Sequence, residues 1–189
     1  AAEELLEKYP ERKILIVDTL CASAGQGLFV YHVAQKKNSG ATLQEAADFA
    51  EEIKLSLCHW FSVDDLVYLK RGGRVSPTVA FIGGLLGIKP VLHVDDNGAL
   101  INVSKVRGRK AALAAILDGV KRDLVDPDGQ TIRILHADCM ADAQWLKTEL
   151  LNAYPTLAEV VISNLGVIIG AHCGPGLLTV FYFGDRRKP

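Results

Sequence analysis

The stretch K-P-V-L-H-V-D-D-N-G-A-L-I-N-V-S-K-V at residues 89–106 decides the fold. Two apolar runs, 89–94 and 99–106, flank Asp95-Asp96-Asn97-Gly98. Asn-Gly between such runs is a strong hairpin signal, because the tight turns that match strand twist need positive φ at their central positions. The reading is an antiparallel strand pair.

Downstream of the pair, residues 109–124 read as a helix, 131–137 as a strand, 142–154 as a helix, 159–164 as a strand and 177–184 as a closing strand with alternating character. The order β-β-α-β-α-β-β implies a mixed or antiparallel sheet with packed helices. Upstream, residues 2–9 read as the tail of an amphipathic helix stopped by Pro10, since proline removes a helix hydrogen bond. K-I-L-I-V-D at 13–18 is a continuous apolar run ending in a carboxylate, the pattern of a strand buried on both faces. After it, the loop 19–27 carries Ser23, Gly25 and Gly27 before a helix to about residue 35, where open α/β sheets place ligands. Thr42 and Glu45 form a capping-box pair for a helix running to about residue 59. A short helix with Leu66 and Leu69 on one side ends at Lys70-Arg71-Gly72-Gly73-Arg74, and the small, apolar segment 77–87 reads as a buried helix. The fold class is therefore α/β: the remnant of an N-terminal parallel α/β domain with connecting helices (1–75), followed by a C-terminal domain of mixed or antiparallel sheet (76–189).

Composition narrows the function. Hydrophobic residues make up 49% of the 189 and charged residues 23%, with a formal net charge of -1. That is a globular balance with no net basic field to gather nucleic acid. Apolar runs fall short of the roughly 20 residues of a spanning helix, and the N-terminus lacks the pattern of a signal peptide. The four cysteines lie far apart without a C-x-x-C pair, so reduced thiols in the cytoplasm are expected. The chain opens on uncapped helix formers without a methionine, which reads as a start inside a helix and hence a fragment.

Phosphate-loop, dinucleotide, zinc-protease and hydrolase-elbow motifs are absent from the sequence. His136-Ala137-Asp138-Cys139 holds metal-capable groups at a strand end, although such residues commonly cap the next helix. Cys173 beside His172 raises a thiol nucleophile with its base. The most informative stretch is G-V-I-I-G-A-H-C-G-P-G at 166–176. Its glycines permit a tight turn or close approach to a ligand, and one imidazole sits among apolar neighbours. Arg109 and Lys110 open a helix, where cations oppose the macrodipole, so an anion or acidic partner is expected near them.

The runs V-D-T-L-C-A-S-A-G-Q-G at 17–27, D-L-V-Y-L-K-R-G-G-R-V-S at 65–76, L-L-G-I-K-P-V-L at 85–92, K-V-R-G-R-K-A-A at 105–112 and G-A-H-C-G-P-G at 170–176 together resemble the DegV family of bacterial fatty-acid-binding proteins. Several of its members are the lipid-presenting subunit of a fatty acid kinase. The resemblance implies a non-catalytic carrier without cofactor or metal, whose ligand is a long-chain fatty acid and whose partner is the kinase catalytic subunit. By position it implies that His172 binds the carboxylate, with Gly170, Gly174 and Gly176 around the head group. Arg107 and Arg109 would face the kinase or bind phosphate, and Phe81, Ile82, Leu85 and Leu86 would form part of the acyl tunnel wall. The family's Thr-Ser-Gln-Pro-Ser and Ser-Gly-Thr motifs, which help hold the carboxylate, do not occur here. The preceding segment of the same chain is then a further expected partner, and the 189-residue piece alone is expected to retain lipid poorly. The competing reading is a metal-dependent hydrolase or phosphotransfer enzyme using His136, Asp138 and His172.

Overall fold

The computed structural model describes residues 1–75 and 87–187. Its hairpin closes at the Asn-Gly turn: the Asp95 carboxylate accepts from the backbone N–H groups of Asn97 (2.9 Å) and Ala99 (2.8 Å), and Gly98 takes φ +76. The strands so joined, Ile88–Val94 and Leu100–Arg107, are β2 and β3. Before them come α1 (Ala2–Lys8), α2 (Ser23–Asn38), α3 (Leu43–Ile53), β1 (Leu57–Ser62) and α4 (Val67–Arg71). After them come α5 (Arg109–Asp123), β4 (Thr131–His136), α6 (Met140–Ala153), β5 (Glu159–Asn164), α7 (Val167–Cys173) and β6 (Leu178–Phe183). The capping box forms at α3, where Glu45 N–H donates to the Thr42 hydroxyl and Thr42 N–H donates to the Glu45 carboxylate.

The six strands make one mixed sheet in the order β3-β2-β1-β6-β4-β5. Only β4 and β5 run parallel, through the α6 crossover, and the other neighbours are antiparallel. Because strand side chains alternate, the central strands serve two cores at once. Cys58, Trp60, Val180 and Tyr182 pack under α5 and α6 with Ile116, Leu146 and Leu150. Leu57 and Phe181 face the opposite way, against Leu28 and Phe29 of α2 and Ala50 of α3. On that same side, Phe61 packs with Leu66, Leu69 and Cys173, beneath α4 and α7.

Three sequence expectations change. Residues 13–18 form no regular element and join no ladder among the described residues. Leu15 and Val17 instead line a hollow of about 490 Å³ with Phe29, Val33 and Ala50, while Ile16 between them is 71% exposed. Among the described residues, the apolar side of the run packs on helices. The helix expected to continue to about residue 59 stops at Ile53, and Leu57–Ser62 is the central strand β1, buried at every position. It carries the strand to the middle of the sheet from the part of the chain before residue 76. Residues 166–176, read as a tight turn or a close approach to a ligand, contain a seven-residue helix, α7, between Gly166 and Gly174. The segment expected as a buried helix at 77–87 lies almost wholly outside the described residues, and with it Phe81, Ile82, Leu85 and Leu86.

Trp60 sets the closest packing in the larger core. Its indole N–H donates to the Asp123 carboxylate (2.9 Å), the Arg122 guanidinium lies 5.0 Å over its ring, and His93 meets it edge-on at 4.6 Å. Gly119 of α5 lets the ring in, since a Cβ there would lie 2.6 Å from an indole carbon. At the chain's end, Arg187 is 2% exposed and donates to the backbone carbonyls of Leu57, Leu20, Asp95, Thr19 and Lys54. It ties the loop before α2 and the hairpin turn to the start of β1.

Two outcomes are expected. Gly119→Ala gains about 1 kcal/mol of helix propensity but overpacks Trp60, so it lowers stability by a net ~1–2 kcal/mol in denaturant unfolding; a gain would contradict this packing. Burial holds the imidazoles of His59 and His93 below their ordinary value of 6.5. Both resist protonation in the fold, whereas the unfolded chain takes up protons below that pH. Their contribution is present above pH 6.5 and is lost as pH falls beneath it, by at most about 1.4 kcal/mol per pH unit per group. Unfolding curves that keep one midpoint from about pH 7 to about pH 5.5 would contradict it.

Candidate ligand cavity

A cavity of about 350 Å³ opens on the side of the sheet covered by α4 and α7, within the ~300–1,000 Å³ range of small-molecule sites. Its floor is one face of β1 and β6, with His59, Phe61, Thr179 and Phe181. The register makes this face continuous, because His59 pairs with Phe181 and Phe61 with Thr179. Leu69 of α4 and Ile168, Ile169 and His172 of α7 form one wall, and Gly98 and Leu100 of the hairpin form another. Ala22 and Ser23, at the start of α2, close one end. The lining is mainly apolar, with a few polar groups that could orient an occupant.

His172 is one of them. It is half-buried in the last turn of α7 and lies against the bare backbone of Gly72, where any Cβ would collide with its Nδ1. Gly72, the first glycine after α4, therefore makes the imidazole's seat. Arg74 enters the same lining, its guanidinium donating to the Gly72 carbonyl at 2.6 Å. The sequence left Arg74 without a duty; the structure puts its cation and the imidazole in the lining of one cavity, each against Gly72.

The three glycines expected around a head group are not among the lining residues. At Gly174 (φ +73) and Gly176 (φ +78) the space of a Cβ is taken by the Tyr68 ring and the Asp64 carboxylate, so these glycines admit α4 and its approach. At Gly170 the space is open. Arg109, in the first turn of α5, donates to Asp142 at 2.8 Å and sits 3.6 Å from Asp64, which also holds Lys89 at 2.7 Å. The anions that its position at a helix start calls for are thus supplied within the chain. Arg107 is exposed at the end of β3.

The groups of the competing reading do not gather. His136 is buried at the end of β4, where its Nδ1 accepts the Cys139 N–H at the start of α6, and neither it nor Asp138 lines the cavity of His172. Among the described residues no three His, Cys, Asp or Glu side chains are grouped to hold a metal ion. Burial pushes the Cys173 thiol up to about 11, far from a ready thiolate. Among the described residues no helix is long and apolar enough to cross a membrane.

One polar residue of the cavity carried no sequence signal. His59 was read as the end of a helix, yet it stands in the middle of β1, 3% exposed, and neither ring nitrogen has a partner among the described residues. Gly25 of α2 makes room for it, a Cβ there lying 2.9 Å from its Nε2.

Comparison with known proteins agrees with this architecture. The family model "Uncharacterised protein, DegV family" matches residues 1–185. A DegV domain-containing protein of Clostridium perfringens is 48% identical over the whole chain, which spans 65% of that protein's length. Among solved structures, a fatty-acid-binding DegV family protein from Thermus thermophilus superposes with TM-score 0.86 at 29% identity, covering 97% of this chain and 65% of that one. The Fatty Acid Kinase (Fak) B3 protein of Streptococcus pneumoniae, loaded with linoleic acid, shares the fold with TM-score 0.88 at 22% identity, over 97% of this chain and 64% of that one. With a family model matched almost end to end and near-half identity to a relative, the chain belongs to the DegV family.

Proposed function

We propose that the full-length protein encloses one long-chain fatty acid and presents its carboxylate to a separate kinase, which would convert it to an acyl phosphate. The observation that carries the reading is the cavity whose apolar walls lead to the His172 and Arg74 pair. Burying about fourteen methylenes at ~0.8 kcal/mol each supplies about 11 kcal/mol before ordering costs. The chain gives affinity and the polar point gives direction, because a carboxylate leaves water at a cost of several kcal/mol unless it receives donors. An imidazole N–H and a guanidinium are suitable donors.

The rest of the reading follows the family resemblance. The Thermus thermophilus neighbour is a fatty-acid-binding protein, and the further hydroxyl donors would come from the segment that precedes the matching region in longer relatives. Arg107, exposed at the end of β3, is the cation offered to the kinase, while Arg109 stiffens the same turn through Asp142 and Asp64. In this role the chain is a carrier in the cytoplasm and the catalysis belongs to its partner.

Denaturing mass spectrometry of the purified full-length protein tests the reading, with one fatty acid per chain as the expected result. His172→Ala should weaken that binding by ~1–3 kcal/mol, the cost of a lost buried hydrogen bond. No co-purifying lipid, or unchanged occupancy in the variant, would overturn it.

A further inference from the structure

His59 has no place in the proposal above, because a plain methylene chain offers an imidazole nothing to bond. Yet the residue lines the same cavity, is almost wholly buried, and has both Nδ1 and Nε2 unpartnered among the described residues. Buried polar groups are ordinarily satisfied, so two orphaned nitrogens on one ring call for an explanation. No carboxylate stands beside it: its ring neighbours are Phe181, edge-on at 5.4 Å, and the backbone of Gly25. Burial and the nearby Arg187 cation keep it neutral, and a neutral imidazole presents one N–H donor and one lone pair.

The surroundings extend this polar point. Ser23 lines the cavity at the first turn of α2, a sixteen-residue helix with no side-chain cap and no acidic residue in that turn. The first backbone N–H groups of such a helix lack intrahelical partners and favour an oxygen. Thr179, on the strand face beside Phe61, adds a hydroxyl. The rest of this wall, including Phe61, Phe181, Leu165 and Ile169, is hydrocarbon.

We infer that the cavity has a second polar subsite at His59, and that its preferred occupant is an acyl chain bearing an additional oxygen function, a hydroxyl or oxo group, held there by the imidazole. A hydroxyl matches the ring on both counts, accepting from its N–H and donating to its lone pair, and an oxo group matches it on one. The inference rests on the fatty-acid reading and deepens it from a plain chain to an oxygenated one.

The test is competitive binding to the full-length protein between octadecanoic acid and a panel of monohydroxylated octadecanoic acids, with the hydroxyl near the carboxylate, at mid-chain or near the methyl end. At least one position should bind about tenfold or more tightly than octadecanoic acid, as a buried hydrogen bond gained would give. His59→Phe should abolish that preference and keep octadecanoic acid binding, which also shows that the variant folds. His59→Gln, which retains a donor and an acceptor, should restore part of it. Octadecanoic acid bound with no hydroxylated acid preferred, or a preference that survives in His59→Phe, overturns this inference alone. Failure to bind any of the acids overturns the carrier reading and this inference with it.

Discussion

β1 has no solvent face, and the rest of the structure depends on that constraint. Its alternate side chains serve two environments: Trp60 goes to the core beneath α5 and α6, while His59 and Phe61 floor the cavity beneath α4 and α7. The strand is held between β2 and β6 by antiparallel ladders, and Arg187 takes the Leu57 carbonyl at its start. Moving its register by one residue would exchange the two sets and put an indole where the cavity lies. Core packing and cavity shape are thus properties of one strand.

The polar groups around the cavity are held by backbone geometry more than by ion pairs. Gly72 seats His172, Gly25 admits His59, and the Gly72 carbonyl holds Arg74. The stronger charge pairs lie elsewhere, where Asp64 and Asp142 share Arg109 and Lys89 across the starts of α4, α5 and α6. That network braces the approach to α4, whose far end carries the glycine pair. Val167 and Ile168, 85% and 77% exposed, open α7, and Ile168 also reaches the cavity's lining.

Much of this was legible in the sequence where a local rule acts alone. The Asn-Gly turn and the Thr42–Glu45 cap are such cases, and so is the single imidazole at 172 among apolar neighbours, which does line the cavity. Legibility failed where tertiary context decides. L-C-H-W-F-S is apolar on both sides because both faces are covered, so it carries no period and merges with the helix before it. K-I-L-I-V-D carries the same pattern for a different reason, one side resting on α2 and α3. At 166–176 the glycines left a turn and a close approach open; Gly174 and Gly176 do take positive φ, but the short helix between Gly166 and Gly174 was not read. His59 and Arg74 could not be read as neighbours of one hollow, since the sheet register and the end of α4 bring them there.

The account turns on an acid group meeting the imidazole at position 172. A crystal structure of the full-length protein with a bound long-chain fatty acid tests this most directly. The account predicts a carboxylate oxygen within hydrogen-bond distance of His172, with the chain running over Phe61 toward the β1 and β6 face. A carboxylate seated elsewhere, or a chain that bypasses this cavity, would contradict it.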